Sequence, residues 1–311
     1  MRFVIQEDAN GLCIRQFIKE RLQISVKMLK HLKYRTDGIC VNGERRTVRY
    51  ILHTGDVLTL AVEDRENLHA PAAVELPLEI LYEDDDLVVP LKPANMPTHP
   101  SHDHYRDTVA NALTYRYQQK GIPFVFRPIN RLDRNTSGLL LIARNKMAAG
   151  RLSEAMKAGE IRKSYLAILD GELTTPEGEI NACLHRTAAS IIVREVCSPD
   201  APDAAPSVTR YRVLAVQNGH TLVEAFPLTG RTHQLRVHFA HLGHPITGDD
   251  LYGTPSHRIG RHALHARTLT FPLTSTGEPL TVIAPLTRDF AALLDHYFPE
   301  HPLTHERTAS L

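Results

Sequence analysis

One carboxylate in this chain stands between two guanidinium groups, next to a small-polar turn. The segment is Asn130-Arg131-Leu132-Asp133-Arg134-Asn135-Thr136-Ser137-Gly138, and the apolar run Leu139 to Ala143 follows it. Neighbouring cations favour the anionic form of a carboxylate, and a turn leading into a buried strand holds its direction. An acidic group prepared in this way suits nucleophilic attack. The same residues could equally make a surface ion cluster beside an ordinary turn.

A second segment bears on that choice: Pro227-Leu228-Thr229-Gly230-Arg231-Thr232-His233-Gln234-Leu235-Arg236-Val237-His238, running on to Gly248-Asp249. Gly230 permits a tight backbone turn. Arg231 follows it as a planar donor able to hold a carboxylate with two hydrogen bonds.

Together the two segments resemble the RluA-type pseudouridine synthases. In that family an Arg-Leu-Asp-x-x-Thr-Ser-Gly segment carries the catalytic aspartate, and a Gly-Arg-Thr-His-Gln-(Leu/Ile)-Arg segment carries its arginine partner. Further matches are Leu91 to Pro100, Lys163-Ser164-Tyr165-Leu166-Ala167 and Leu264-His265-Ala266, all in the family's order within residues 78 to 285. The resemblance implies that uridine in RNA is isomerised to pseudouridine. A carbon–nitrogen glycosidic bond is replaced by a carbon–carbon bond, without redox change or energy input, so no cofactor is implied. It assigns Asp133 as nucleophile and Arg231 as the group that pairs with it and aims it. It places Tyr165 against the target base, where it deprotonates carbon 5 or steers the group that does. Arg131 enters the RNA helix where the base leaves, Leu235 walls the pocket, and Arg236 makes a phosphate or structural contact. Arg134, Lys163 and Lys92 complete the expected RNA-binding set. Extruding a base is least costly in loops and bulges, so structured RNA with single-stranded stretches, ribosomal or transfer RNA, is the expected partner. Two departures stand out: Asn130 where many members have His, and Leu91 where many have Asn.

Two other functions stay open. One is a non-catalytic RNA-binding protein, although such a protein has no need of Asp133, Tyr165 and Arg231 together. The other is a metal hydrolase, raised by eighteen histidines with clusters at His99, His102 and His104 and at His233, His238, His241 and His244. Neither cluster has His-Glu-x-x-His spacing, so no metal is expected.

The elements that must position these residues follow from pattern. At 311 residues and 42% hydrophobic composition the chain should bury one large core and a small one. Residues 1–62 carry eleven Lys and Arg against six Asp and Glu, although the whole chain is only +1. Ile14 to Leu22 and Ser25 to Leu32 read as short helices, with Ser25 a candidate N-cap, and Asn42-Gly43 as a hairpin turn. This basic α/β module resembles an S-four-like RNA-binding domain, expected to grip phosphates without reading sequence. Residues 63–77 read as a linker and 78–300 as the catalytic domain. The tail after Pro302 reads as disordered. Strands at Leu78 to Tyr82, Leu87 to Leu91, Ser164 to Leu169, Val208 to Val216 and Thr221 to Phe226 outnumber the helices at Asp107 to Gln119 and Ala148 to Lys157. The expected class is α+β with a mixed, largely antiparallel sheet. Cys13, Cys40, Cys183 and Cys197 lack Cys-x-x-Cys spacing and read as reduced thiols. With no apolar run of membrane-spanning length and no signal-peptide pattern, a cytoplasmic protein is expected, with a monomer as the default.

Overall fold

The computed structural model describes residues 1–22, 24, 26–61 and 70–305. Ser25, residues 63–69 of the expected linker and residues 306–311 lie outside them. Near the N-terminus β1 (Arg2–Val4), α1 (Ile14–Glu20), α2 (Val26–Tyr34), β2 (Ile39–Val41), β3 (Glu44–Arg45) and β4 (Val57–Leu60) form a unit with its own four-stranded sheet, ordered β1-β4-β2-β3. The β2–β3 hairpin turns at Asn42 and Gly43, both with positive φ as a two-residue turn of this type needs. Ile14, Ile18, Leu52 and Leu58 fill its core.

The rest is built on one twelve-stranded sheet. Its first part comprises β5 (Glu79–Glu83), β6 (Leu87–Lys92), α3 (Val109–Gln119), β7 (Arg127–Pro128), β8 (Ser137–Leu139), β9 (Ile142–Ala143) and α4 (Lys146–Lys157). The long strands follow: β10 (Arg162–Asp170), β11 (Glu177–Arg186), β12 (Arg194–Cys197), β13 (Ala205–Gln217) and β14 (His220–Pro227). Then come α5 (Gln234–His241), β15 (Leu264–Pro272), β16 (Pro279–Ile283) and α6 (Arg288–Tyr297). The order runs β12-β11-β13-β14-β10-β15-β8-β6-β9-β7, with β16 beside β15 and β5 beside β6. All pairs are antiparallel except β8 with β15. The α+β reading with a largely antiparallel sheet therefore describes the fold.

Period-two alternation assigns the two faces. On β6, Val88 joins the core shared with α3, α5 and α6, while Leu87, Val89 and Leu91 join the core under α4. Both faces are covered, so β6 is apolar throughout its middle.

Two sequence expectations need correction. Leu139 to Ala143 is not one strand but two short ones, interrupted at Leu140 and Leu141. The neighbouring β6 carries Pro90, which has no N–H to donate to a ladder. The side chain of Asn130 bonds the backbone at the break, its Oδ1 accepting from the Leu141 N–H at 2.7 Å and its Nδ2 donating to the Leu139 carbonyl at 3.4 Å. The tail is also ordered further than expected: Pro302–His305 make a 3₁₀ turn, and Leu303 packs on the main core. Just before β5, the Asn111 side chain donates to the Ala72 carbonyl at 2.7 Å and Leu76 packs on the same core.

Candidate active site

Asp133 lies in the loop between β7 and β8, and this loop is held by its backbone from several directions. Thr98 Oγ1 donates to the Leu132 carbonyl at 2.9 Å and accepts from the Leu132 N–H at 3.2 Å. Lys92 Nζ donates to the Arg134 carbonyl at 2.9 Å, and also to the carbonyls of Pro93 and Met96. Arg261 Nη1 donates to the Asn135 carbonyl at 3.1 Å. Thr136 Oγ1 bonds His262 Nε2 at 2.8 Å, and Ser137 Oγ bonds His265 Nδ1 at 2.9 Å. Gly138 then passes so close to β15 that a Cβ there would sit 2.2 Å from the Ala266 oxygen, and its φ is +115°. Only glycine meets both conditions. A polar loop among buried strands has to satisfy its carbonyls, and here those of Leu132, Arg134 and Asn135 are each taken by a side chain from elsewhere in the chain.

Tyr165 lies on β10, pairing with Ala225 of β14 on one side and Ala266 of β15 on the other. The register shifts between Ser164 and Tyr165, a bulge that re-aims the side chain. The ring is buried. Burial pushes its phenol well above the ordinary value, and the Asp133 charge adds to the shift. A phenol held protonated is a poor resting base, which favours stacking or steering over direct proton abstraction.

The arginine facing Asp133 is Arg236, not Arg231. Arg236 lies in the first turn of α5 and is 4% exposed. Its Nη1 stands 3.9 Å from Asp133 Oδ2, while Nε and Nη2 clamp both oxygens of buried Asp249 at 2.7 Å each. Burial opposes the guanidinium charge most, but the hydrogen bonds and charge of Asp249, with the Asp133 charge, together outweigh it and raise the pKa. The Arg236 guanidinium also sits over the Tyr252 ring, 5.0 Å from its centroid. Arg231 is exposed and donates through Nε to the Pro206 carbonyl at 3.1 Å. Gln234 explains the difference: its Oε1 accepts from the Arg231 N–H and Thr229 Oγ1, while its Nε2 donates to Val208 and Thr209. That ties the turn to β13, and the Arg231 side chain runs along the rim. His233 makes the kink into α5 with φ of 58°, and its Nδ1 bonds the Tyr252 hydroxyl at 2.8 Å.

These groups surround one cavity of about 590 Å³, lined by Arg131, Leu132, Asp133, Lys163, Tyr165, Arg231, Leu235 and Arg236, with Asn130 and His99 beside them. Arg131 is exposed at its mouth. Burial lowers the Lys163 pKa. Lowering at His99 comes from burial first and the Arg131 charge second. Two expected members are not brought in. Lys92 is fully buried, its donors spent on three carbonyls, and burial lowers its pKa to about 7. It fastens the loop and has no donor left for RNA. Arg134 is exposed and outside the cavity lining. Nor can Arg236 meet a phosphate, being buried against Asp249. Of the departures, Asn130 serves the broken strand, and Leu91 is a core residue opposite Leu139.

Sequence reading missed Asp249, Tyr252 and Arg261 as supports of the site. Asp249 follows Gly248 in the quoted segment, but nothing in its spacing points to Arg236. The histidine clusters disperse: His238 is buried between Ser207 and Thr209, and His104 bonds Asp107. Among the described residues no three His, Cys, Asp or Glu converge as metal ligands. No helix among them is long and apolar enough to cross a membrane.

A family model described as RNA pseudouridylate synthase matches residues 86–241. The chain is 37% identical to an uncharacterized RNA pseudouridine synthase of Bacillus subtilis, YjbO, across 88% of its own length and 95% of that protein. It is 32% identical to the ribosomal large subunit pseudouridine synthase C of Vibrio vulnificus, across 91% of each. Among solved structures, human RNA pseudouridylate synthase domain containing 1 matches with a TM-score of 0.56 at 32% identity. That match covers 67% of this chain and 83% of that one.

Proposed function

Because the chain belongs to the RNA pseudouridylate synthase family, with relatives of the RluA type, we propose that it isomerises particular uridines of structured RNA with Asp133 as nucleophile. The observation that carries this reading is that Asp133, Tyr165 and Arg236 face one cavity, with the guanidinium 3.9 Å from the carboxylate. A volume of about 590 Å³ lies within the ~300–1,000 Å³ typical of ligand sites.

In this reading the target uridine leaves its stack and enters the cavity, with Arg131 at the mouth occupying the space it vacates. Asp133 attacks the anomeric carbon or assists formation of a glycal, and the bond to the base nitrogen breaks. Tyr165 and Leu235 retain the free base while it turns. A bond then forms between carbon 5 and the anomeric carbon as the aspartyl ester breaks or the glycal double bond is consumed; carbon 5 gives up its proton, and the freed base nitrogen keeps one. Arg236 holds the carboxylate in direction throughout, a role that the sequence suggests for Arg231. Arg231 and Lys163, at the rim, meet the RNA backbone. The basic N-terminal unit, in the manner of an S-four-like domain, grips phosphates further along the substrate. Large-subunit ribosomal RNA is the first substrate to try, given the name of the Vibrio relative. The protein works as a cytoplasmic monomer.

The test is tritium release from RNA labelled at carbon 5 of uridine, prepared from cells lacking this gene. Wild-type protein should release tritium and Asp133→Asn should not, while both bind RNA alike. Release by Asp133→Asn would remove Asp133 as nucleophile. Binding without release by either protein would leave the non-catalytic RNA-binding reading in its place.

A further inference from the structure

A second open cavity, also of about 590 Å³, lies at the opposite end of the central strand from Tyr165. Its walls include Asp170 at the end of β10, His220 at the start of β14, Tyr297 at the end of α6, and residues 254–258 of the connection from α5 to β15. Asp170 lies five residues beyond Tyr165 on β10, about 17 Å at the usual strand rise. A few nucleotides of extended strand cover that distance.

Three kinds of chemistry meet there. The His220 ring stacks on Tyr297 with centroids 3.6 Å apart and planes 24° from parallel, a flat aromatic surface. Asp170 accepts from Thr247 Oγ1 at 2.7 Å, stands 3.6 Å from His220 Nε2 and keeps 35% of its side chain exposed. His257 and Arg258 are exposed, and among the described residues neither side chain has an ion-pair or hydrogen-bond partner. An aromatic face receives a base, a carboxylate accepts from a ribose 2′-hydroxyl, and a guanidinium with an imidazole takes a phosphate. Together these are the recognisable parts of a ribonucleotide.

We propose that this cavity is a second RNA-binding subsite, holding a ribonucleotide of the substrate a few positions from the target uridine. The subsite rests on the substrate being RNA, as argued above, but not on Asp133 being the nucleophile. It also touches the machinery around Asp133. The connection that lines it leaves from Asp249, which clamps Arg236, and arrives at Arg261, which holds the Asn135 carbonyl. RNA seated on residues 254–258 therefore bears on a segment pinned at both ends beside Asp133.

The experiment compares full-length wild type with a His257→Ala/Arg258→Ala double variant, using an unmodified transcript of large-subunit ribosomal RNA. The double variant should bind about tenfold more weakly. The slope of log Kd against log salt should fall by about 0.7–0.9 for each phosphate that is no longer neutralised. KM should rise with Kd, while the rate at saturating RNA stays within about twofold of wild type. An unchanged Kd and slope would overturn the subsite. So would a fallen kcat at unchanged KM, which would make the segment a positioning element only. A third measurement titrates adenosine 5′-monophosphate alone. Binding abolished in the variant, with the RNA Kd unaltered, would assign the cavity to free nucleotides and overturn the RNA proposal. If no RNA yields tritium with wild type, the isomerase reading fails, yet weaker RNA binding by the variant would still support the subsite.

Discussion

Arg231 and Arg236 share one motif, but one is exposed at the rim and the other is buried beside the carboxylate. Their substitutions should therefore separate. Arg231→Ala should raise KM about fivefold with little change in kcat, because a rim cation contributes to RNA binding and not to the aim of Asp133. Arg236→Lys keeps the charge but loses the planar fork that spans Asp249 and Asp133, and should cut kcat about 100-fold at nearly unchanged KM. Steady-state kinetics on one RNA check both, and a larger kcat loss for Arg231→Ala would return the aiming role to it. That Arg236 and not Arg231 lies beside Asp133 was not legible from sequence. Both arginines follow a turn signal, and which one points inward depends on Gln234 binding the Arg231 N–H and on Asp249 arriving from thirteen residues further on. That Asp133 and Tyr165 line one cavity was legible because both stand in segments that resemble the family's. Lys92 was misjudged for a physical reason: an isolated lysine in sequence looks like a phosphate contact, and only the fold shows three carbonyls converging on its ammonium.

At the scale of elements, the loop that bears Asp133 depends on the parallel contact of β8 with β15. Gly138→Ala places a methyl group against the Ala266 backbone in a conformation that side chains avoid. About 3 kcal/mol of stability should be lost, with a Tm several degrees lower and activity reduced even where the protein remains folded. Calorimetry decides it; an unchanged Tm would mean that β8 can shift away from β15 at little cost. The strands were largely readable, since Leu87 to Leu91 and Ser164 to Leu169 carry β-rich apolar runs. The helix α5 was not, because Gln234, Arg236 and His238 are polar residues on a buried helix, each satisfied by a partner that no local pattern reveals. The interruption at Leu140 was hidden for a similar reason: its cause, Pro90, lies on a different strand.

Across the whole molecule, three buried histidines set the response to acid. Burial is the main cause of lowering in each: His238 to about 4 and His265 to about 3, with His262 well below its ordinary value. At His238 the hydrogen bonds agree. Ser207 Oγ already donates to Ala182 and so accepts from Nε2–H, which leaves Nδ1 of the neutral ring to accept from the Thr209 hydroxyl. A second proton at Nδ1 would break that bond and force the hydroxyl to turn. Above pH 6.5, the ordinary histidine value, folded and unfolded chains are both neutral at these positions. As the pH falls from there toward 4, the unfolded chain takes up protons that the folded one refuses, so stability declines with acid. Guanidinium midpoints measured from pH 7 to 4 should drop over that window and drop less for His238→Gln. A midpoint independent of pH would show these imidazoles charged inside the fold. Two of the same histidines, with Arg261, reach the Asp133 loop from about 125 residues downstream. Time therefore enters the design. During synthesis Asp133, Tyr165 and Arg236 all emerge before the residues that order the loop, so a nascent chain carries its reactive groups unassembled. Assembly of the loop therefore waits for residues 261–265.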